Sequence, residues 1–294
     1  MQTGERVRRL CAGAICVLAT LWLATLSGQA QEIVKFQATQ PNETRPVTLR
    51  AELYRPAGRG QFPAIVLLHG CNGWEPSTIF ALHQYAYVMR DAGYVVLNLD
   101  SFGSRYYSGA EMCGHNGRLR QAISYRTSDA FDAARYLRRL PYVDGNNVFL
   151  MGQSNGASVA IAAAMDETYL SHRQSEQEPP FRASVALYPW CGLLSSGSRL
   201  ATAVQVFIGG RDEWVSASEC SRIQTLGAEF NVKVYPAAGH SFDLDIIPQR
   251  FAGFMIGMDA NAASDSRDRM MSFFNTYRSA KPPSDGALGS RFLH

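Results

Sequence analysis

The sequence NVFLMGQSNGASVAIAAA, residues 147–164, decides the fold of this chain. It begins with an apolar run typical of a buried strand and ends with small residues typical of a closely packed helix. Between them lies a Gly-x-Ser-x-Gly turn from Gly152 to Gly156, with Ser154 at its centre. Because the glycines let strand and helix approach closely, the pattern predicts a sharp turn that presents Ser154 as a nucleophile.

The rest of the chain repeats the order strand, helix, strand. Residues 64–68 and 95–97 are apolar without polar alternation, as expected of strands covered on both faces. The predicted strands are 47–54, 64–69, 94–99, 147–151, 183–188, 204–208 and 232–235. The predicted helices are 78–91, 121–139, 155–165, 216–227 and 261–278. We therefore expect an α/β fold in one domain over residues 31–280, with a mostly parallel sheet between two helical layers and a loose tail at 281–294.

Composition and charge narrow the class of protein. Of the 294 residues, 46% are apolar and 18% are charged, which indicates a globular core and excludes a disordered or collagen-like chain. The formal net charge is only +3 and no block of like charges occurs, so a nucleic-acid partner is not expected. We expect a small molecule instead.

The N-terminus has the pattern of a secretory signal peptide over residues 1–30. Arg6, Arg8 and Arg9 precede an apolar run at 10–26, and small residues end the segment at Gly28 and Ala30. A membrane anchor is the alternative, but a helix of that run is about 25 Å long, shorter than the roughly 30 Å hydrocarbon core. We expect cleavage near Ala30, a periplasmic or secreted protein, and no stable membrane anchor.

Four cysteines follow the predicted signal, an even number in an oxidising compartment. One or two disulfides are therefore expected, with three possible connectivities. Four buried free thiols are the alternative, since free cysteine is common in protein cores. These residues are Cys71, Cys113, Cys191 and Cys220.

A serine nucleophile needs a base, and the base needs a carboxylate that orients it. Asp212 follows the predicted strand 204–208, and His240 follows the predicted strand 232–235. The order Ser154, Asp212, His240, each residue at a strand end, predicts the Ser-Asp-His triad of an α/β-hydrolase. Asp243 and Asp245 are rival carboxylates, but they follow the histidine too closely to orient it from a separate strand end.

The tetrahedral intermediate of acyl transfer needs hydrogen-bond donors for its oxyanion. The backbone N–H of Asn155, directly after the nucleophile, is one candidate. The second is expected in the loop that follows strand 64–69, where we predict Cys71, with Asn72 as the alternative. His69 in the same loop is expected to be structural.

These motifs resemble the dienelactone hydrolase family over residues 62–277. The resemblance rests on HGCNG at 69–73, NLDSFGSR at 98–105, GQSNG at 152–156, Asp212, and GHSF at 239–242. It implies a single α/β-hydrolase domain that hydrolyses an ester or lactone. The founding enzymes carry a cysteine nucleophile where this chain has Ser154, which suggests a serine esterase.

The resemblance also implies further residues. Arg105 would contact a substrate carboxylate, but the second arginine that those enzymes have shortly after the histidine is absent from SFDL at 241–244. Exported relatives of similar outline suggest two disulfides, Cys191 with Cys220 and Cys71 with Cys113.

Aromatic residues and an apolar insertion add expectations about the pocket. Trp74, Trp190, Trp214 and Phe242 follow predicted strand ends, where α/β sheets bind ligands, and suggest an aromatic pocket; ordinary packing at the rim is the alternative. The segment 243–257 could cover that pocket.

Other function classes are less well supported by the sequence. A peptidase or amidase could use the same triad, and a binding protein could keep the fold without the activity. The histidines show no ligand spacing such as His-Glu-x-x-His, so we expect neither a metal nor an organic cofactor.

Overall fold

A computed structural model describes residues 31–39 and 45–279. The predicted signal peptide and the predicted tail at 281–294 lie outside the described residues. Eight strands form the central sheet: β1 (Glu32–Gln37), β2 (Thr48–Tyr54), β3 (Phe62–Leu68), β4 (Val95–Asp100), β5 (Val143–Gln153), β6 (Ser184–Leu187), β8 (Val204–Gly209) and β10 (Phe230–Tyr235). Their order across the sheet is β1-β2-β4-β3-β5-β6-β8-β10.

The sheet is parallel from β4 to β10, and β1 and β2 join it antiparallel. The central strand β3 alternates between two cores, because Ile65 and Leu67 pack on one face while Val66 and Leu68 pack on the other. An uninterrupted apolar run is what a strand buried on both faces requires. The expected α/β class and mostly parallel sheet are therefore confirmed.

Seven helices accompany the sheet in the described part of the chain. They are α1 (Pro76–Asp91), α2 (Gly109–Cys113), α3 (Asn116–Arg138), α4 (Asn155–Ala164), α5 (Asp166–His172), α6 (Ala217–Arg222) and α7 (Ala260–Tyr277), with a 3-10 turn at Gly103–Arg105. Helices α1 and α7 pack on the face of Ile65, and α3 packs on the face of Val66.

Several short elements, among them α2 and α5, were not predicted from the sequence, and two differences are larger. The helix predicted at 216–227 is wrong beyond Arg222, because Leu226–Gly227 forms β9 and pairs with β7 (Arg199–Leu200), and Gly227 has a φ of +81°. Strand β1 was not predicted. It is an edge strand in which only Val34 is buried, so it carries little apolar pattern.

The apolar segment 243–257 contains a small antiparallel hairpin, β11 (Gln249–Phe251) with β12 (Phe254–Ile256). The hairpin is tied to the loop that carries His240, because the backbone N–H of Gly257 donates to the His240 carbonyl and Ile256 forms a β-bridge with His240. These contacts hold the hairpin beside the carboxyl ends of the strands. No helix among the described residues is long and apolar enough to span a bilayer.

The structure contains two disulfides, Cys71–Cys113 and Cys191–Cys220, the pairing that the family resemblance implied. The first joins the loop after β3 to the end of α2, and the second joins the loop after β6 to α6. Both therefore link loops at the carboxyl edge of the sheet.

The Cys71→Ser/Cys113→Ser double variant is expected to lose about 3–4 kcal/mol of unfolding free energy. The disulfide closes a loop across a separation of 42 residues, and its removal frees the unfolded chain. Urea unfolding of the variant and of the wild type, each with and without reductant, measures the effect. A variant as stable as the oxidised wild type would contradict a stabilising role for this bond.

Candidate active site

The turn between β5 and α4 has a strained backbone at Ser154. This residue has φ 51° and ψ −116°, in a region that non-glycine residues seldom occupy. The strain is held by close packing at both glycines: a side chain on Gly152 would overlap the Gly156 carbonyl, and a Cβ on Gly156 would lie 2.5 Å from the carbonyl oxygen of His69. Because a side chain at either position would overlap neighbouring backbone atoms, both positions require glycine. The turn places Ser154 beyond the end of the strand.

Gly156→Ala is expected to destabilise the fold by about 1–3 kcal/mol, because the added methyl group meets backbone oxygens of Leu68 and His69 that cannot rotate away. Chemical unfolding measures the change. Gly117→Ala is the matched control, since Gly117 lies in helix α3 and an added Cβ there would meet no atom within 4 Å, so alanine should be neutral or stabilising. Equal stability of both variants would argue against the tight turn.

Three side chains that follow the ends of β5, β8 and β10 form a chain of hydrogen bonds. His240 Nε2 lies 3.0 Å from Ser154 Oγ, and His240 Nδ1 lies 2.7 Å from Asp212 Oδ2. The side chains of His240 and Asp212 are 2% and 0% exposed, whereas Ser154 is half-buried and lines a cleft. The structure thus brings the three predicted catalytic residues within hydrogen-bonding distance.

The Asp212 carboxylate is oriented by its own loop. Oδ1 accepts hydrogen bonds from the backbone N–H groups of Trp214 at 2.8 Å and Val215 at 3.0 Å. This leaves Oδ2 for His240. With both oxygens occupied by donors, the carboxylate has one orientation, and it favours the proton of His240 on Nδ1.

Two aromatic rings pack against the imidazole of His240. The ring of Tyr188 meets it edge-on at 4.6 Å between centroids, and that of Trp214 lies at 5.0 Å. The hydroxyl of Tyr188 donates to Asp243 Oδ1 at 2.6 Å, and Asp243 Oδ2 accepts from Tyr85 and Gln153. Burial and the neighbouring Asp243 raise the pKa of Tyr188, which keeps it a neutral donor. Asp243 therefore fixes the position of Tyr188, which lines the site, and makes no hydrogen bond to His240.

The two predicted oxyanion donors belong to residues that each share a cleft with Ser154. The backbone N–H groups of Cys71 and Asn155 make no hydrogen bond to another described residue. Cys71 and Ser154 line one cleft, and Asn155 and Ser154 line another. Asn72, the alternative donor, also lines the first cleft. Free donors beside the nucleophile are what an oxyanion requires.

A fully buried arginine, not found from the sequence, braces both donor segments. Arg126 donates from Nη1 to Asn155 Oδ1 at 2.7 Å and from Nη2 to the His69 carbonyl at 2.6 Å. Burial lowers its pKa to about 10, so the guanidinium stays positive at neutral pH. A polar residue within the buried face of the long helix α3 is the one sequence signal that could have identified it.

His69 has a structural position. Its ring is fully buried, with Nδ1 2.7 Å from the Gly70 carbonyl and Nε2 accepting from the Ser101 N–H. Burial, together with the charge of Arg126, lowers the pKa of His69 well below its usual value. The neutral ring shapes the loop between β3 and Cys71.

Two clefts meet at Ser154, and Trp214 lines both of them. The hairpin cleft, about 220 Å³, is lined by Gly70, Cys71, Asn72, Ser77, Thr78, Gln153, Ser154, Tyr188, Trp214, His240, Ser241, Leu244, Ile246, Gln249, Phe251 and Ile256. The Trp190 cleft, about 180 Å³, is lined by Asn116, Leu119, Arg120, Ile123, Ser154, Asn155, Ser158, Trp190, Trp214, Val215 and Phe254. Hairpin residues thus lie in both clefts, so the segment 243–257 forms part of the pocket wall.

Two residues predicted to bind substrate lie elsewhere. Arg105 forms a buried ion pair, in which Nη1 and Nη2 each lie 2.9 Å from an Asp129 carboxylate oxygen, and its side chain is 4% exposed. Trp74 packs against the core under the guanidinium of Arg50. Each side chain is used in packing and lines neither cleft, so the structure gives no support to a substrate contact at either residue. Phe242 is likewise buried in the core, whereas Trp190 and Trp214 do line the site.

Metal-ligating side chains do not converge in the described part of the chain. No group of three or more histidine, cysteine or acidic residues there could hold a metal ion.

Comparison with known proteins agrees with the fold and the sequence motifs. The sequence profile of the dienelactone hydrolase family matches residues 49–278, most of the chain. The chain belongs to the dienelactone hydrolase family. The matched residues include Ser154, Asp212 and His240.

Solved structures share the dienelactone hydrolase fold at low sequence identity. A dienelactone hydrolase-like promiscuous phosphotriesterase from metagenomic libraries is 19% identical with a TM-score of 0.60, over 84% of this chain and 99% of its own. Esterase 2 of Thermogutta terrifontis, phosphorylated by paraoxon, is 16% identical with a TM-score of 0.53, over 82% of this chain and 92% of its own. These similarities show the fold.

A curated relative of this dienelactone hydrolase family member is the quorum-quenching protein AidA of Acinetobacter baumannii. It is 27% identical over 173 residues, which is 58% of this chain and 53% of AidA. The chain therefore spans about half the length of that relative.

Proposed function

We propose that this chain is an exported serine hydrolase that cleaves a carboxylic ester or lactone through an acyl-enzyme. The observation that carries the proposal is the hydrogen-bonded chain from Ser154 through His240 to Asp212 at the meeting point of two clefts. A nucleophile, a base and an orienting carboxylate in this arrangement are the requirements of acyl transfer. The family membership supports the ester class of substrate.

In the first half-reaction, Ser154 Oγ attacks the carbonyl carbon while His240 Nε2 accepts the hydroxyl proton. Asp212 stabilises the imidazolium that forms, because its Oδ2 accepts the Nδ1 hydrogen bond at 2.7 Å. His240 then donates that proton to the leaving alcohol oxygen, and the C–O bond breaks. The products of this half-reaction are the free alcohol and an acyl ester on Ser154.

The negative charge of the tetrahedral intermediate forms between the N–H groups of Cys71 and Asn155. Each such donor contributes about 3 kcal/mol to the transition state in comparable sites. The buried charge of Arg126, bonded to the segments that carry both donors, adds a favourable potential for an anion at this point. The Cys71–Cys113 disulfide restrains the same loop.

In the second half-reaction, water replaces the alcohol. His240 accepts a proton from the water as its oxygen attacks the acyl carbon, and it returns the proton to Ser154 Oγ as the ester bond breaks. The carboxylic acid leaves and the enzyme is regenerated. Each step uses groups of this chain and a water molecule.

We further propose that residues 31–280 act as one exported domain. The signal-like pattern at residues 1–30 and the two disulfides support export, because disulfides persist in oxidising compartments. To test export, the full chain is expressed, the periplasmic fraction is separated, and the N-terminus of the protein is determined by mass spectrometry. We expect a mature chain that begins at Gln31; an uncleaved cytoplasmic chain with free thiols would contradict export.

Labelling with a fluorophosphonate probe tests the hydrolase proposal, because the probe reacts only with an activated serine. We expect stoichiometric labelling at Ser154, together with turnover of short p-nitrophenyl esters. The heat-denatured protein is the control and should not react. A folded chain that neither reacts at Ser154 nor hydrolyses esters or lactones would support a binding protein instead.

A further inference from the structure

Two clefts on either side of one nucleophile can separate the two halves of an ester. Accepting the proposed function, we propose that the acyl half binds in the Trp190 cleft and the alcohol half in the hairpin cleft. The acyl group is a compact aromatic acid whose outer substituent is negatively charged. This assignment deepens the proposed esterase by naming its substrate class.

The position of His240 decides which half of the ester occupies which cleft. The leaving alcohol oxygen must receive its proton from His240 Nε2, and His240 lines the hairpin cleft but not the Trp190 cleft. The carbonyl oxygen lies between the donors of Cys71 and Asn155, one from each cleft. The remaining substituent on the carbonyl carbon, the acyl chain, is therefore directed along Asn155 and Ser158 into the Trp190 cleft.

The walls of the Trp190 cleft are suited to a flat ring. Trp190, Trp214 and Phe254 contribute aromatic surface, and Trp214 and Phe254 stack at 4.8 Å with an angle of 18°. Such surfaces favour an aromatic guest through stacking and edge-to-face contacts. The buried Ile123 and Ser158 close the inner end, and a volume of about 180 Å³, below the usual 300–1,000 Å³ of drug-sized pockets, limits the acyl group to a compact one.

The outer end of this cleft is polar and positively charged. Asn116 and Arg120 line it and are exposed, in contrast to the buried inner residues. Arg120 makes no hydrogen bond or ion pair with any residue in the described ranges, so its guanidinium is available to a ligand. A carboxylate on the far side of an aromatic acyl group would meet this cation.

The hairpin cleft also has aromatic residues, Tyr188, Phe251 and the shared Trp214, but it differs from the Trp190 cleft in its aliphatic side chains. These are Leu244, Ile246 and Ile256, and polar residues such as Asn72 and Thr78 line the same cleft. This combination is suited to a small alcohol with an apolar body. Because Trp190 lines only one of the two clefts and Ile246 only the other, substitution of either residue should change specificity for one half of the ester only.

A matrix of esters tests the division. Methyl acetate and methyl benzoate vary the acyl half, and methyl and propyl benzoate vary the alcohol half. Trp190→Ala should reduce the benzoate-to-acetate ratio of kcat/KM about tenfold and leave the propyl-to-methyl ratio unchanged. Ile246→Ala should change the propyl-to-methyl ratio by about threefold and leave the acyl ratio unchanged. If Trp190→Ala does not fold, Leu119→Ala takes its place, because Leu119 is a half-buried residue of the same cleft. It should also reduce the benzoate-to-acetate ratio and leave the propyl-to-methyl ratio unchanged.

The charged substituent is tested by comparing methyl 4-carboxybenzoate with methyl benzoate. Arg120→Gln should lower the carboxybenzoate-to-benzoate ratio of kcat/KM about two- to fivefold, the size expected of an exposed ion pair, and added salt should remove the difference. Arg118→Gln is the matched control, because Arg118 lies in the same helix and pairs with Glu111. The carboxybenzoate-to-benzoate ratio of Arg118→Gln should equal that of the wild type.

The results separate the two proposals. If the wild type hydrolyses esters but Trp190→Ala and Leu119→Ala change the alcohol ratio, or Arg120→Gln behaves as Arg118→Gln, the cleft assignment is wrong and the esterase stands. If the wild type hydrolyses none of these esters and Ser154 does not react with the fluorophosphonate, the proposed function itself fails.

Discussion

Replacing Ser154 with alanine is expected to reduce kcat for a p-nitrophenyl ester by about 10⁴ to 10⁶, since members of a triad act as a unit. The variant loses the oxygen that lies 3.0 Å from His240 Nε2 and forms the acyl bond. The donors of Cys71 and Asn155 remain, so a small rate above that of water should persist. Steady-state kinetics with enzyme at micromolar concentration measures a change of this size.

Two further observations make the Ser154→Ala result decisive. The variant should fold as the wild type does, because alanine can occupy the same turn, and its thermal midpoint should be within a few degrees. It should also lose all fluorophosphonate labelling. Hydrolysis retained at more than one per cent of the wild-type rate would mean that another group is the nucleophile.

Asp212→Asn is expected to lower kcat about 10⁴-fold through the tautomer of His240, with little change in KM. The two backbone N–H groups of Trp214 and Val215 hold the oxygen at the Oδ1 position, so the amide NH₂ of asparagine must point toward His240. That NH₂ is a donor, and it stabilises the tautomer with the proton on Nε2. Nε2 can then no longer accept the proton of Ser154.

Asp245→Asn is the matched control for Asp212→Asn. Asp245 is exposed, lies five residues after His240, and was a rival carboxylate in the sequence. Its substitution removes the same charge without touching the triad, and kcat should remain within about threefold of the wild type. If Asp245→Asn were as damaging as Asp212→Asn, or if Asp212→Asn kept most activity, the assigned orienting carboxylate would be wrong.

The nucleophile turn was predictable because its signal is local. The strand before Ser154 is a continuous apolar run, and the glycines on both sides of the serine lie within two residues of it. Asp212 and His240 were found in the same way, as polar residues directly after strands. Parallel strands end at a common edge, so residues at their ends are brought close together whatever the rest of the fold does.

Arg105 and Arg126 show where the sequence was insufficient. Both are arginines in the first half of the chain. The apolar face of α3 indicates that Arg126 is buried, but no neighbouring residue indicates the partner of either arginine. Arg105 pairs with Asp129, which lies 24 residues away in helix α3, and Arg126 reaches the His69 carbonyl across 57 residues. The partner of a long side chain depends on which elements pack against it, and local pattern carries no record of that.

By itself, the sequence of this protein determined the α/β class, the turn that presents Ser154, and the order of the three polar strand ends, because each depends on residues adjacent in the chain. Tertiary structure alone decided which aromatic residues line the site, since Trp190 and Trp214 reach the clefts while Trp74 and Phe242 pack into the core. It also decided that the site has two clefts, because their walls combine helix α3, the hairpin and loops after different strands. Cleft shape is a property of packing between distant segments, and it exists only once the sheet has assembled.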